Sequence, residues 1–246
     1  MGRSIRAELY KMKHTVLPYM HIFSPLLYTM SVYLAYRYTG VRNFSANELT
    51  KNYLAILGSL IPVLIGFVTA KESDLESGAG HFQFVLAEGG SRVRIYLSKL
   101  IALLLCGVFS LFLAVFSYTA LLQNQNVYDA LAETAMLAYS SLSIYLIHLW
   151  AGFQFGGAVS IGIGFSEMLL AFLAMTNIGD PVWYFLPCTW PARASATYLL
   201  GKTEFGKAIA HGELLKWYAI AVPVTMLLII TSILWIRLWN GRTNTE

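Results

Sequence analysis

Apolar residues run along this chain in long blocks with short polar breaks between them. A hydrocarbon layer roughly 30 Å thick takes about 20 helical residues to cross. Six stretches suit such a crossing: 17–36, 53–70, 96–122, 136–151, 158–176 and 217–239. The nearly continuous apolar run from Met136 to Met175 would measure about 60 Å as one helix, which is two crossings. A reversal must fall inside it, and Gly152-Phe153-Gln154-Phe155-Gly156-Gly157 is the best place, because glycine accepts the left-handed turn that ends a helix. The pattern predicts an all-α polytopic membrane protein with six transmembrane helices.

Residues 1–16 precede the first block. Ile5, Leu9, Met12 and Val16 share one helical face, and Arg3, Arg6, Lys11 and Lys13 supply cations. This suits an amphipathic helix lying in the headgroup plane, or a basic tail that only sets topology. It does not suit a cleaved signal, because Pro18 and Pro25 interrupt the following apolar stretch and no small-x-small site follows. The expected organisation is therefore an interfacial helix (1–16), a six-helix transmembrane domain (17–239) and a cytosolic tail (240–246). With the N-terminus inside, the inner side collects Arg3, Arg6, Lys11, Lys13, Lys71, Arg92, Arg94, Lys99, Arg237 and Arg242. Those are ten of the 17 basic residues, and the bias predicts cytosolic termini.

Composition narrows the class. The 246 residues are 57% hydrophobic and 12% charged, whereas soluble domains carry roughly 25% charged residues. That composition argues against an ordinary cytosolic enzyme, and a net charge of +4 gives no ground for nucleic-acid binding. Cys106 and Cys188 form no CxxC pair, and the five histidines include no i, i+4 pair, so no metal site is expected. HExxH is absent. Gly164-Phe165-Ser166-Glu167 fails the Gly-x-Ser-Gly pattern of an intramembrane serine protease. No GxxxxGK[ST] run is present to cradle ATP phosphates.

The segment 71–95 is the most informative polar stretch. An acidic start, with Glu72, Asp74 and Glu76, leads through Gly78-Ala79-Gly80 to His81-Phe82-Gln83-Phe84-Val85-Leu86-Ala87. Phe82, Val85 and Leu86 fall at i, i+3, i+4, one apolar helical face. Gly89-Gly90 ends it, and Ser91 can cap the next helix. Such a helix either presents a rigid knob to a partner or rests on lipid.

From Ala79 to Leu100 the sequence AGHFQFVLAEGGSRVRIYLSKL resembles the loop after the second span of bacterial ABC-2-type permeases. It is most similar to permease subunits of lantibiotic-immunity exporters, the G-type more than the E-type. Gly80-His81-Phe82-Gln83 and Leu97-Ser98-Lys99-Leu100 carry the likeness. The opening Arg6–Thr15 and the stretch Ile56–Gly66, with its Pro62, look similar too. The resemblance is specific over roughly the first 105 residues. It implies that the loop is a coupling helix docked on a cytosolic ABC ATPase. Phe82, Gln83, Val85 and Leu86 would be contacts, with Glu72 and Glu76 at the rim. It also implies no cofactor in this chain, ATP and Mg on the partner ATPase, and a second homologous permease subunit in a heterodimer or homodimer.

Glu167 lies inside the fifth block. An intramembrane carboxyl is costly and faces protein or water, so it marks either a pathway or a packing contact. His148 is a possible partner. Gly152, Gly156, Ser160 and Gly164 repeat at four-residue spacing, a small-residue stripe that lets helices approach closely; the Gly156–Gly164 part is the firmer packing face. Residues 177–216 are rich in Pro, Trp and Tyr, with Trp183 and Trp190 among them. They suggest a re-entrant or surface element with a short helix near 192–200, either capping a pathway or forming an interfacial lid. The function expected is a permease subunit, not an enzyme, that removes lantibiotic peptides from the bacterial cytoplasmic membrane. A different ABC-2 cargo (peptide, lipid or polysaccharide) and an ATP-independent channel or carrier are the alternatives.

Overall fold

Ser45 opens a 33-residue helix through a capping box, its hydroxyl accepting from the Glu48 amide while the Glu48 carboxylate takes the Ser45 amide. Asn126 opens another, its side chain accepting from the Asp129 amide at 2.8 Å. Caps of this kind start helices well before the apolar blocks begin. In the computed structural model, which describes residues 1–80, 82–87, 92–123 and 125–242, the helices are α1 (Gly2–Lys13), α2 (Leu17–Tyr38), α3 (Ala46–Gly78), α4 (Gln83–Ala87) and α5 (Arg92–Leu122). Next come α6 (Val127–Phe155), α7 (Gly157–Ala174), α8 (Trp190–Leu200) and α9 (Lys207–Leu238). No strand occurs among the described residues. Gly89, Gly90, Ser91, His81 and the tail beyond Arg242 lie outside them.

Five helices, α3, α5, α6, α7 and α9, are long and apolar enough to cross a membrane, where the sequence pattern predicted six. α2 has the length, 22 residues, but Tyr19, His21, Tyr28, Tyr33 and Tyr36 dilute its apolar content. Leu169 and Leu173 on α7, and Met226, Leu227, Ile230 and Leu234 on α9, are exposed. An apolar surface of that kind fits a bundle surrounded by lipid rather than water.

α3 forms the centre, packing along α7 and against α6 and α8, while α2 packs on α5 and α5 on α6. The α6–α7 break falls at Gly156, where φ is +106°, a conformation that a side chain would strain. Backbones approach closely around α3. A Cβ on Gly58 would come within 2.5 Å of Ala192 Cα on α8. One on Gly66 would sit 2.9 Å from the Ser160 carbonyl oxygen, and one on Gly164 2.9 Å from the Pro62 carbonyl oxygen. The small-residue stripe therefore divides. Ser160 and Gly164 form the α7 face against α3, whereas Gly156, expected in that face, is the turn itself.

Contacts place α1, the last turns of α3, Phe82 with α4, the α6–α7 turn and the residues after α9 at one end of the bundle. The opposite end holds three short 3-10 turns between 177 and 189, and α8.

Candidate functional site

At the termini end, the expected coupling segment is rooted rather than free. α3 continues to Gly78, so residues 71–78 are helix and not loop. Gly80 (φ +114°) and Phe82 (φ +64°) then turn the chain sharply into α4. Phe82 and Val85, expected as outward contacts, are 2% and 0% exposed. The Phe82 ring lies edge-on to Trp239 at 5.1 Å and tilted against Phe153 at 5.2 Å. Phe82, expected to open a helical i, i+3, i+4 face, lies instead in the turn before α4, and with Val85 it points into the bundle, where Trp239 and Phe153 offer aromatic surface. Leu86 is half-buried and Gln83 is exposed.

Glu72 and Glu76, expected at a rim, are also buried. The Lys99 ammonium, 0% exposed, sits between Glu8 at 2.5 Å, Glu72 at 2.6 Å and Glu76 at 2.5 Å. Lys11 adds contacts to Glu8 at 3.2 Å and Glu76 at 3.1 Å. A buried charge persists only when it is paired, and this cluster pins α1 to α3 and α5. α1 therefore does more than lie on a surface, since Glu8 and Met12 on it are buried. The three carboxylates lie close enough to share a metal ion, but the Lys99 ammonium already occupies the space between them.

Arg242 completes this end. Its guanidinium donates to Ser73 Oγ at 2.9 Å and to the Gly152 carbonyl at 2.7 Å, and it lies 5.4 Å from the centre of the Phe82 ring. The residues after α9 thus staple the end of α3, the α6–α7 turn and the root of α4 together. Neither Lys99 nor Arg242 stood out in the sequence as a site residue. A lone lysine near the start of an apolar block was the available signal for Lys99. For Arg242 there was none.

Inside the bundle His148 and Glu167 meet, with Nε2 2.9 Å from Glu167 Oε2. His148 Nδ1 lies 2.9 Å from Ser160 Oγ, which lies 2.8 Å from Thr69 Oγ1, and Thr69 donates to the Ile65 carbonyl at 2.7 Å. Ser160 Oγ also lies 3.3 Å from the Gly66 carbonyl oxygen, which it reaches as a donor. A Glu–His–Ser series has the order of an activated nucleophile. Here Ser160 is 0% exposed and its hydroxyl is enclosed by Thr69, the Gly66 carbonyl and His148, so the series links α7, α6 and α3 as a polar brace.

At the α8 end, Trp183 and Trp190 are 1% and 0% exposed. Trp190 Nε1 donates to the Tyr184 carbonyl at 3.0 Å, and its ring meets Trp217 of α9 edge-on at 6.3 Å. Trp190 is packing, not pathway lining. Trp183 forms part of the wall of a cleft of about 750 Å³. Arg193 pairs with Asp180 there and stacks over Trp183 at 5.7 Å. Tyr184 donates to Glu213; burial, then the Glu213 carboxylate, pushes the Tyr184 phenol up to about 12, which keeps it a donor at neutral pH.

No family model, curated protein or solved structure matches this chain.

Proposed function

We propose that this chain is the permease subunit of an ATP-driven exporter of the ABC-2 type. In this reading α2 is its first of six crossings, and the termini end faces the cytosol. The likeness of 79–100 to the coupling loop of lantibiotic-immunity permeases supports the reading, and one observation carries it: the short helix α4, whose root is buried and whose Gln83 is exposed. A knob anchored by Phe82 and Val85 moves with α3, α6 and α9, as a part that transmits force must. The ATPase would meet Gln83 and the nearby exposed Asp74 and Ala79, while Phe82, Val85, Glu72 and Glu76 hold the knob in place. ATP and Mg would bind only on the ATPase, a second permease subunit would complete the path, and the cargo would be an amphipathic lantibiotic-type peptide taken from the bacterial cytoplasmic membrane.

The test is co-purification of the full chain with the ATPase encoded beside it. Co-elution is expected for the intact chain and should be lost in Gln83→Glu combined with Ala79→Lys, both exposed sites. If no ATPase binds the intact chain, the assignment fails. An ATP-independent carrier then becomes the better reading, with Glu167 and His148 at its centre.

A further inference from the structure

The cleft at the α8 end does not stand alone. A second cleft, of about 520 Å³, lies among α2, α3 and α7, and the two share Lys51 and Met175 in their walls. Together they form one groove of two characters, each part within the roughly 300–1,000 Å³ usual for ligand sites. The part between the helices is walled mainly by apolar side chains, with Val32, Leu49, Ile56 and Phe172 among them. It lies among helices whose outer faces are apolar.

The other part is aromatic and charged. Trp183 and Tyr184 wall it, residue types that favour the membrane–water boundary. Its cations are Lys51, Arg193 and Lys216, and its anions Asp180 and Glu213, a net charge of +1 (three minus two). Arg193 is paired with Asp180, and Lys216 with Glu213 at 3.0 Å. The surplus charge is Lys51, which forms no ion pair among the described residues and sits at the junction of the two parts. Its charged neighbour Glu48 is committed to the Ser45 cap.

We propose that this groove holds an anionic phospholipid, one whose headgroup carries net negative charge, with that headgroup at Lys51 and an acyl chain between Val32, Ile56 and Phe172. The groove matches such a ligand in three respects: an apolar slot open toward lipid, a cation without a partner at the slot's mouth, and aromatic walls at the boundary level. The proposal does not rest on the transport reading, because it needs only that the bundle lies in a membrane.

Native mass spectrometry of the full chain, loaded with phosphatidylglycerol or phosphatidylcholine of identical chains, tests it. Phosphatidylglycerol should be retained roughly fivefold better, the worth of one lysine beside an anionic lipid. Lys51→Gln should abolish the preference, whereas Lys207→Gln, an exposed cation at the same end but outside the groove, should keep it. Ile56→Trp, which fills the slot, should lower retention of both lipids. Equal retention of the two lipids by the intact chain, or a preference that survives Lys51→Gln, overturns the proposal. Displacement of phosphatidylglycerol by millimolar glycerol phosphate overturns it in favour of a soluble phosphate ligand.

Discussion

Replacing Lys99 by Met should destabilise the bundle more than any single change to an exposed residue. The ammonium is fully buried and touches three carboxylates at 2.5–2.6 Å. Counting Lys11, the cluster holds two cations against three anions, a net charge of −1; without Lys99 it holds three anions against one half-exposed cation. Each contact has a gross attraction of about 4 kcal/mol or more at an effective dielectric of 20. Most of that is offset by the several kcal/mol needed to desolvate each ion. What remains on deletion is the penalty of stranded buried charge, about 3–5 kcal/mol. Met keeps the volume of the lysine stem, so the loss reports charge rather than a cavity. The assay is thermal unfolding of the full chain in detergent across pH, with Glu72→Gln and the double variant completing a cycle. At neutral pH the cycle should show coupling of about 1 kcal/mol or more. The gap between the parent and Lys99→Met should narrow in acid, because protonated carboxyls no longer need the ammonium. A gap that is unchanged in acid, or a loss under about 1 kcal/mol at neutral pH, would refute the charge argument.

Gly164→Val should cost about 1–3 kcal/mol of overpacking, since its Cβ meets backbone at 2.9 and 3.0 Å; Gly162→Ala, where nothing lies within 4 Å, should hold melting or raise it slightly, alanine being the better helix former. His148→Ala should cost about 3 kcal/mol by leaving the Glu167 carboxyl unpaired, and Glu167→Gln, which preserves a hydrogen bond, should cost less than half as much; equal losses would mean the pair contributes only packing. Arg242→Ala should raise amide exchange in 82–87 and 152–157 while leaving α2 and α5 protected, and unchanged exchange in both segments would show that the staple is not needed to hold them.

Much of the architecture was legible in the sequence because it rests on local chemistry. Apolar blocks of membrane length locate the long helices, and the Gly156-Gly157 pair marks the break between α6 and α7, where the +106° φ needs glycine. Pro191 and the alanine-rich stretch after it mark α8. Blocks located the long helices but not their ends, because capping by Ser45 and Asn126 extends α3 and α6 past the apolar stretches. α2 shows the limit of counting, since its tyrosines turn inward in part, as where Tyr28 donates to the Tyr53 carbonyl at 2.7 Å.

Which face meets which neighbour was decided only by the tertiary structure. The spacing of Phe82, Val85 and Leu86 announced an apolar face but not its direction, which Trp239 and Phe153 set from far along the chain. Glu72 and Glu76 read as a polar rim until α1 and α5 brought Glu8 and Lys99 to them. His148 read as a possible partner of Glu167 at no fixed distance, until the turn at Gly156 folded α7 back along α6 and set them 2.9 Å apart. Periodicity is a property of a few consecutive residues and survives in the sequence. Pairing of charge, satisfaction of a buried hydrogen bond and the direction of an exposed face depend on groups distant in the chain, and only packing brings those together.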